Sequence, residues 1–86
     1  MSANDTQNDV QAVFVDALPI ELHKLLKFEN LVMSGGEAKQ VIQNGLVRVN
    51  GEVELRRGRK LQLGDIVEFE GVSLRVEQLE DESEDF

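Results

Sequence analysis

The chain has 86 residues, no cysteine, one histidine and a net charge of −8. That length suits one domain with a small core, and the composition excludes disulfides, thiolate metal sites and a histidine-based metal site. No apolar run approaches the ~20 residues needed to span a bilayer, and the start, MSANDTQNDVQ, lacks the basic and apolar stretches of a secretory signal, so a soluble, cytoplasmic protein with no membrane partner is expected.

Residues 1–11 are polar and aperiodic and are expected to form a disordered arm. AVFVDA, 12–17, has the β-branched and aromatic content of a short strand. Pro19 suits a first helical position, where its missing N–H is not needed. Leu22, Leu25 and Leu26 follow at helical spacing, which predicts a first helix at about 19–29. Asn30 can take the left-handed conformation that ends a helix, with Leu31 folding back on Leu26. A second helix is predicted from Ser34, an N-cap residue with Glu37 three positions on, as in a capping box. Ala38, Val41 and Ile42 form its apolar stripe, and Gly45 after Asn44 stops it, with Leu46 placed to meet Val41.

Beyond Gly45 the hydrophobic period changes to two. LVRVNGEVEL is an alternating run broken by Asn-Gly, the dipeptide that best fits the positive φ angles of a type I′ turn. KLQLGDIVEF contains a Gly-Asp turn, and VEFEGVSLRVE reads as a second hairpin, burying Val67, Phe69, Val72, Leu74 and Val76. The fold class expected is α+β, a helix pair packed on a small antiparallel sheet. The domain is expected over 12–78, with 79–86 an acidic disordered tail.

Charge is distributed unevenly. Residues 1–18 carry −3 and residues 77–86 carry −6, whereas 39–60 carries +4. A basic segment thus lies inside an acidic chain, hidden by its overall charge. Four of its cations fall in RRGRK: Arg56, Arg57, Arg59 and Lys60. Such a loop either binds a polyanion or is simply solvated. Arg48 alternates with Val47 and Val49, so it either extends the patch or is an ordinary strand residue. Lys24 and Lys27 have the same two readings on the first helix, and Arg75 reads as simple strand surface.

Two glycines, Gly35 and Gly36, occupy the first turn of the second helix, although glycine is a poor helix former. Lys39 leans over that turn, because helical side chains tilt toward the N-terminus. One explanation is that the missing side chains let a phosphate reach the free N–H groups and the positive end of the helix dipole. The other is that they let the first helix pack closely or ease the chain's entry after Met33. His23 has no partner for catalysis or metal binding. Phe14, Phe28 and Phe69 lie in apolar patterns expected to be core. Base stacking is therefore not expected, and backbone and shape recognition fits better.

The stretch SGGEAKQVIQNGLVRVNGEVELRRGRKLQLGDIVEF resembles the small RNA-binding domain named after the fourth protein of the bacterial small ribosomal subunit. The resemblance rests on Ser34 at a helix start, Ala38 and Ile42 within it, Gly45 before Val-x-Val-Asn-Gly, and the Gly64-Asp65 turn. It covers about 19–76 and is closest to the stand-alone bacterial YbcJ-type branch. The resemblance implies the helix-pair-and-sheet fold of the alpha-L motif. It also implies binding of structured RNA, ribosomal or transfer RNA, at the second helix start and the adjoining basic loop. Carried over, the contacts are Ser34, Gly35, Gly36 and Lys39, with Arg56, Arg57, Arg59 and Lys60. Many relatives place an arginine directly after the motif serine. Gly35 stands there in this chain, which removes one phosphate contact and shifts weight to Lys39 and the loop. Larger relatives carry this domain on pseudouridine synthases or a tyrosyl-tRNA synthetase, but no catalytic part is present here.

The expectation is a non-catalytic module without cofactor or small-molecule substrate, whose partner is structured RNA and, through it, the ribosome. Four cations engaging a duplex would make log K fall with log salt at a slope of about −3.6. The competing reading is a protein-interaction adaptor that presents its acidic tail to a basic protein.

Overall fold

The structure, a computed structural model, describes residues 9–79. It contains β1 (Gln11–Val15), β2 (Ile20–Glu21), α1 (Leu22–Phe28), α2 (Gly35–Gln43), β3 (Val47–Val49), β4 (Glu52–Val53), β5 (Lys60–Leu61), β6 (Ile66–Phe69) and β7 (Val72–Gln78). The arm before residue 9 and the tail from residue 80 lie outside the described residues.

Local chemistry sets the helix ends as the sequence indicates. At the end of α1, Asn30 has φ 59°. Its N–H donates to the Lys27 carbonyl at 2.9 Å, and the Leu31 N–H donates to the Leu26 carbonyl at 2.9 Å. At the end of α2, Gly45 has φ 78°. Here the Gly45 and Leu46 N–H groups donate to the Ile42 and Val41 carbonyls at 3.0 and 3.1 Å. Both are Schellman closures, in which the amide of a left-handed residue and the amide after it turn back onto orphan carbonyls.

Both hairpins form at left-handed residue pairs. Asn50 (φ 54°) and Gly51 (φ 86°) join β3 to β4, and Glu70 (φ 54°) and Gly71 (φ 81°) join β6 to β7. Positive φ at both central positions matches the twist of the flanking strands. The register then places Val49 opposite Val67 and Val67 opposite Leu74. Val47, Val49, Val67, Phe69, Leu74 and Val76 therefore share one face. That face buries Leu22, Leu25 and Leu26 of α1 and Ala38 and Ile42 of α2. Removing each of these leucines from water stabilises the fold by roughly 1.5–3 kcal/mol.

Four expectations need correction. The first helix does not start at Pro19 but at Leu22: Ile20 and Glu21 instead pair with Leu61 and Lys60 as a second, two-stranded sheet. The strand foreseen at 12–17 runs from Gln11 to Val15 and pairs in parallel with β7. The main sheet, ordered β1-β7-β6-β3-β4, is thus antiparallel except at that edge. Phe14 and Phe28 are not core but 52% and 54% exposed. Phe14 falls between Val13 and Val15 and so faces away from them, while Phe28 lies off the leucine stripe of α1. Finally, Glu37 does not close a reciprocal capping box. The Ser34 Oγ accepts from the Glu37 N–H at 3.1 Å, but the Glu37 carboxylate accepts from the Met33 N–H, one residue earlier, at 2.8 Å.

Candidate nucleic-acid interface

The RRGRK loop is built around an acid. Glu54 follows β4 and is 7% exposed. One carboxylate oxygen accepts from the Arg56 amide at 3.0 Å and from Arg56 Nε at 2.9 Å. The other accepts from Arg56 Nη2 at 3.2 Å and Arg59 Nη1 at 2.7 Å. These bonds hold the Glu54 carboxyl at about 2, well below its ordinary 4.5. Side-chain donation from Arg56 is the largest cause and burial opposes it. The same contact raises Arg56. Two of the four cations of RRGRK, Arg56 and Arg59, thus each pair with Glu54.

The folded loop closes α1. The Leu22 N–H donates to the Arg59 carbonyl at 2.9 Å, and the His23 N–H donates to the Arg57 carbonyl at 3.0 Å. Glu21, the N-cap residue, makes no side-chain cap. Its carboxylate instead accepts from His23 Nε2 at 2.8 Å, with Lys24 Nζ at 3.8 Å. Glu21 is lowered, chiefly by the His23 hydrogen bond. The two-residue pairing of β2 with β5 places Lys60 opposite Glu21. The loop cations and Lys24 therefore gather at the start of α1.

The start of α2 is a different place. The Ala38 N–H begins the helical ladder by donating to the Ser34 carbonyl at 3.0 Å. The Glu37 N–H is taken by the Ser34 side chain. The N–H groups of Gly35 and Gly36 have no hydrogen-bond partner among the described residues, and both residues are exposed. Neither has a positive φ. A Cβ at Gly35 would meet nothing within 4 Å, and one at Gly36 would meet only the Ser34 Oγ at 3.8 Å. Close packing by the first helix is thus not the reason for these glycines. Among the described residues, no hydrogen bond joins this turn to the basic loop.

Arg57, Lys60, Lys39 and Lys27 are exposed and have no carboxylate at ion-pair distance among the described residues. Arg48 is exposed on β3 and donates to the Gly51 carbonyl at 3.3 Å. Arg75 pairs with Glu77 at 2.6 Å. Sequence reasoning missed the Glu54 clamp and the loop carbonyls that cap α1. One signal was present: residues two apart in an extended segment share a side, which brings Glu54 and Arg56 together. Among the described residues, no cluster of His, Cys, Asp or Glu could hold a metal ion and no helix is long and apolar enough to cross a membrane.

Known proteins resemble this chain in sequence and fold. The S4 domain family model matches residues 14–77. The "Probable ribosome maturation protein RlbA" of Bacillus subtilis is 44% identical over 59 residues, covering 69% of this chain and 83% of the relative. The "Putative RNA-binding protein YbcJ" of Escherichia coli is 44% identical over 57 residues, covering 66% and 81%. The solution structure of E. coli YbcJ, described as carrying an alpha-L motif involved in RNA binding, superposes with a TM-score of 0.61 at 37% identity. It covers 81% of this chain and 90% of YbcJ. Ribosomal protein S4e of Thermoplasma acidophilum aligns at a TM-score of 0.51 and 25% identity, over 67% of this chain and 30% of S4e. With a family match over 14–77 and the helix pair and sheet of the alpha-L motif, this chain belongs to the S4 domain family.

Proposed function

We propose that this chain is a non-catalytic, cytoplasmic module that binds structured RNA, ribosomal or transfer RNA, chiefly through phosphates. The carrying observation is the set of exposed cations in 39–60, a +4 segment of a −8 chain, in a domain whose relatives are named for RNA binding and ribosome maturation. Phosphate contacts give affinity without needing the aromatic platforms of single-strand binders. The contacts lie on the basic loop 56–60 and at the α2 start, Ser34, Gly35, Gly36 and Lys39. Arg48, Lys24 and Lys27 extend the surface. At the α2 start, two unpartnered amides and the positive end of a nine-residue helix favour an anion.

The test is RNA crosslinking in cells followed by sequencing, comparing the wild type with Arg57→Glu/Lys60→Glu. A defined structured RNA that falls at least tenfold in the charge-reversed protein is the expected result. Recovery of no RNA from the wild type, beside a stable protein partner, would replace this reading with the adaptor.

A further inference from the structure

Resting on that reading, the structure divides the basic loop into two kinds of cation. We propose that Arg57 and Lys60 are the loop residues that contact RNA phosphates, and that Glu54 is the positioning residue that commits Arg56 and Arg59 to the loop's own architecture. Glu54 accepts four hydrogen bonds from these two arginines, two on each oxygen. The Arg59 N–H also donates to the Arg56 carbonyl at 3.2 Å, closing the turn between them. This turn carries the two carbonyls that accept from Leu22 and His23. One carboxylate thus fixes where the loop sits on α1, and with it where residues 57 and 60 stand. Arg59 has only 29% of its side chain exposed. Arg56 is more accessible, but its Nε edge already faces a carboxylate. A guanidinium already paired with a carboxylate neutralises little phosphate charge, so it releases few of the cations condensed on the RNA and adds little to the salt dependence of binding. Arg57 and Lys60 have no such partner among the described residues.

The experiment measures binding of the full chain to purified ribosomal RNA over a salt series, with Arg57→Ala, Lys60→Ala, Arg56→Ala and Glu54→Gln beside the wild type. Arg57→Ala and Lys60→Ala should each make the log K against log salt slope shallower by about 0.9. Arg56→Ala should keep the wild-type slope. Glu54→Gln releases two guanidiniums, so its slope should steepen, by up to about 1.8, even as its melting temperature falls. A merely structural role for Glu54 would lower the melting temperature without steepening the slope. Equal slope losses for Arg56→Ala and Arg57→Ala would overturn the division of labour, whatever Glu54→Gln does to folding. Absence of binding by the wild type would instead overturn the proposed function, and this inference with it.

Discussion

Gly35 and Gly36 have neither a steric nor a conformational requirement for glycine, so their substitution separates stability from binding. Gly36→Ala should stabilise the fold by about 0.5 kcal/mol, because alanine loses less backbone entropy on folding. The same change narrows access to the free amides and should weaken RNA binding severalfold. Thermal melts and a binding titration on one preparation check both. A stabilised protein with wild-type affinity would remove the α2 start from the interface. Glu54 makes the opposite kind of prediction. Its folded carboxyl, at about 2, lies below the unfolded 4.5. Its contribution is therefore fully present above about pH 4.5 and is lost as pH falls toward 2. Glu54→Gln should cost roughly 1–3 kcal/mol at pH 7. The gap between its melting temperature and the wild type's should close through that acid window. A constant gap from pH 7 to pH 2 would contradict the charge-assisted bonds.

The β3–β4 turn interlocks with the loop before β6. Asn50 Oδ1 accepts from the Ile66 N–H at 2.9 Å, and Asn50 Nδ2 donates to Asp65 Oδ1 at 3.1 Å. The other oxygen of Asp65 accepts from the Gln62 N–H at 2.8 Å. Asn50→Ala loses these bonds and also places alanine at φ 54°. A cost of about 1–2 kcal/mol is expected, read from denaturant unfolding; a change below a few tenths would mean that the turn holds without its side chain. Elements of this kind were legible because their signals are local. Asn30, Gly45 and Asn50-Gly51 each announce a left-handed backbone within a few residues of the structure they form. Pro19 misled for the complementary reason. Its helical reading was sound locally, but Ile20 and Glu21 found strand partners forty residues away. The Glu54 clamp was partly hidden. The two-residue spacing hinted at Glu54 and Arg56, but the Arg59 contact, five residues on, appears only in the folded turn. Phe14 and Phe28 belong to another class, since helical and strand periodicity applied to these residues already excludes them from the buried faces.

Nine of the 17 acids lie in 1–18 and 77–86, the two ends of the chain, which hold no base. Glu80, Asp81, Glu82, Glu84 and Asp85 follow the last described strand and lie beyond the family match. Deleting 80–86 removes these five carboxylates and takes the net charge from −8 to −3. Binding to RNA should tighten at low salt, with the gain shrinking as the Debye length falls from ~10 Å at 0.1 M to ~3 Å at 1 M. Loss of a basic protein partner after deletion, with RNA binding unchanged, would instead support the adaptor reading. The parallel β1–β7 edge has a consequence in time. Gln11 pairs with Leu74, 63 residues later, and Val15 with Gln78. Val13 and Val15 thus lack their strand partner until nearly every other described element exists. A chain emerging from the ribosome presents β1 first and waits longest for β7, whereas both hairpins and both helix closures can form as soon as they appear. Such long-range pairing slows folding, and a chain arrested before Leu74 would hold its whole basic loop while leaving an unpaired, valine-bearing strand open to other edges.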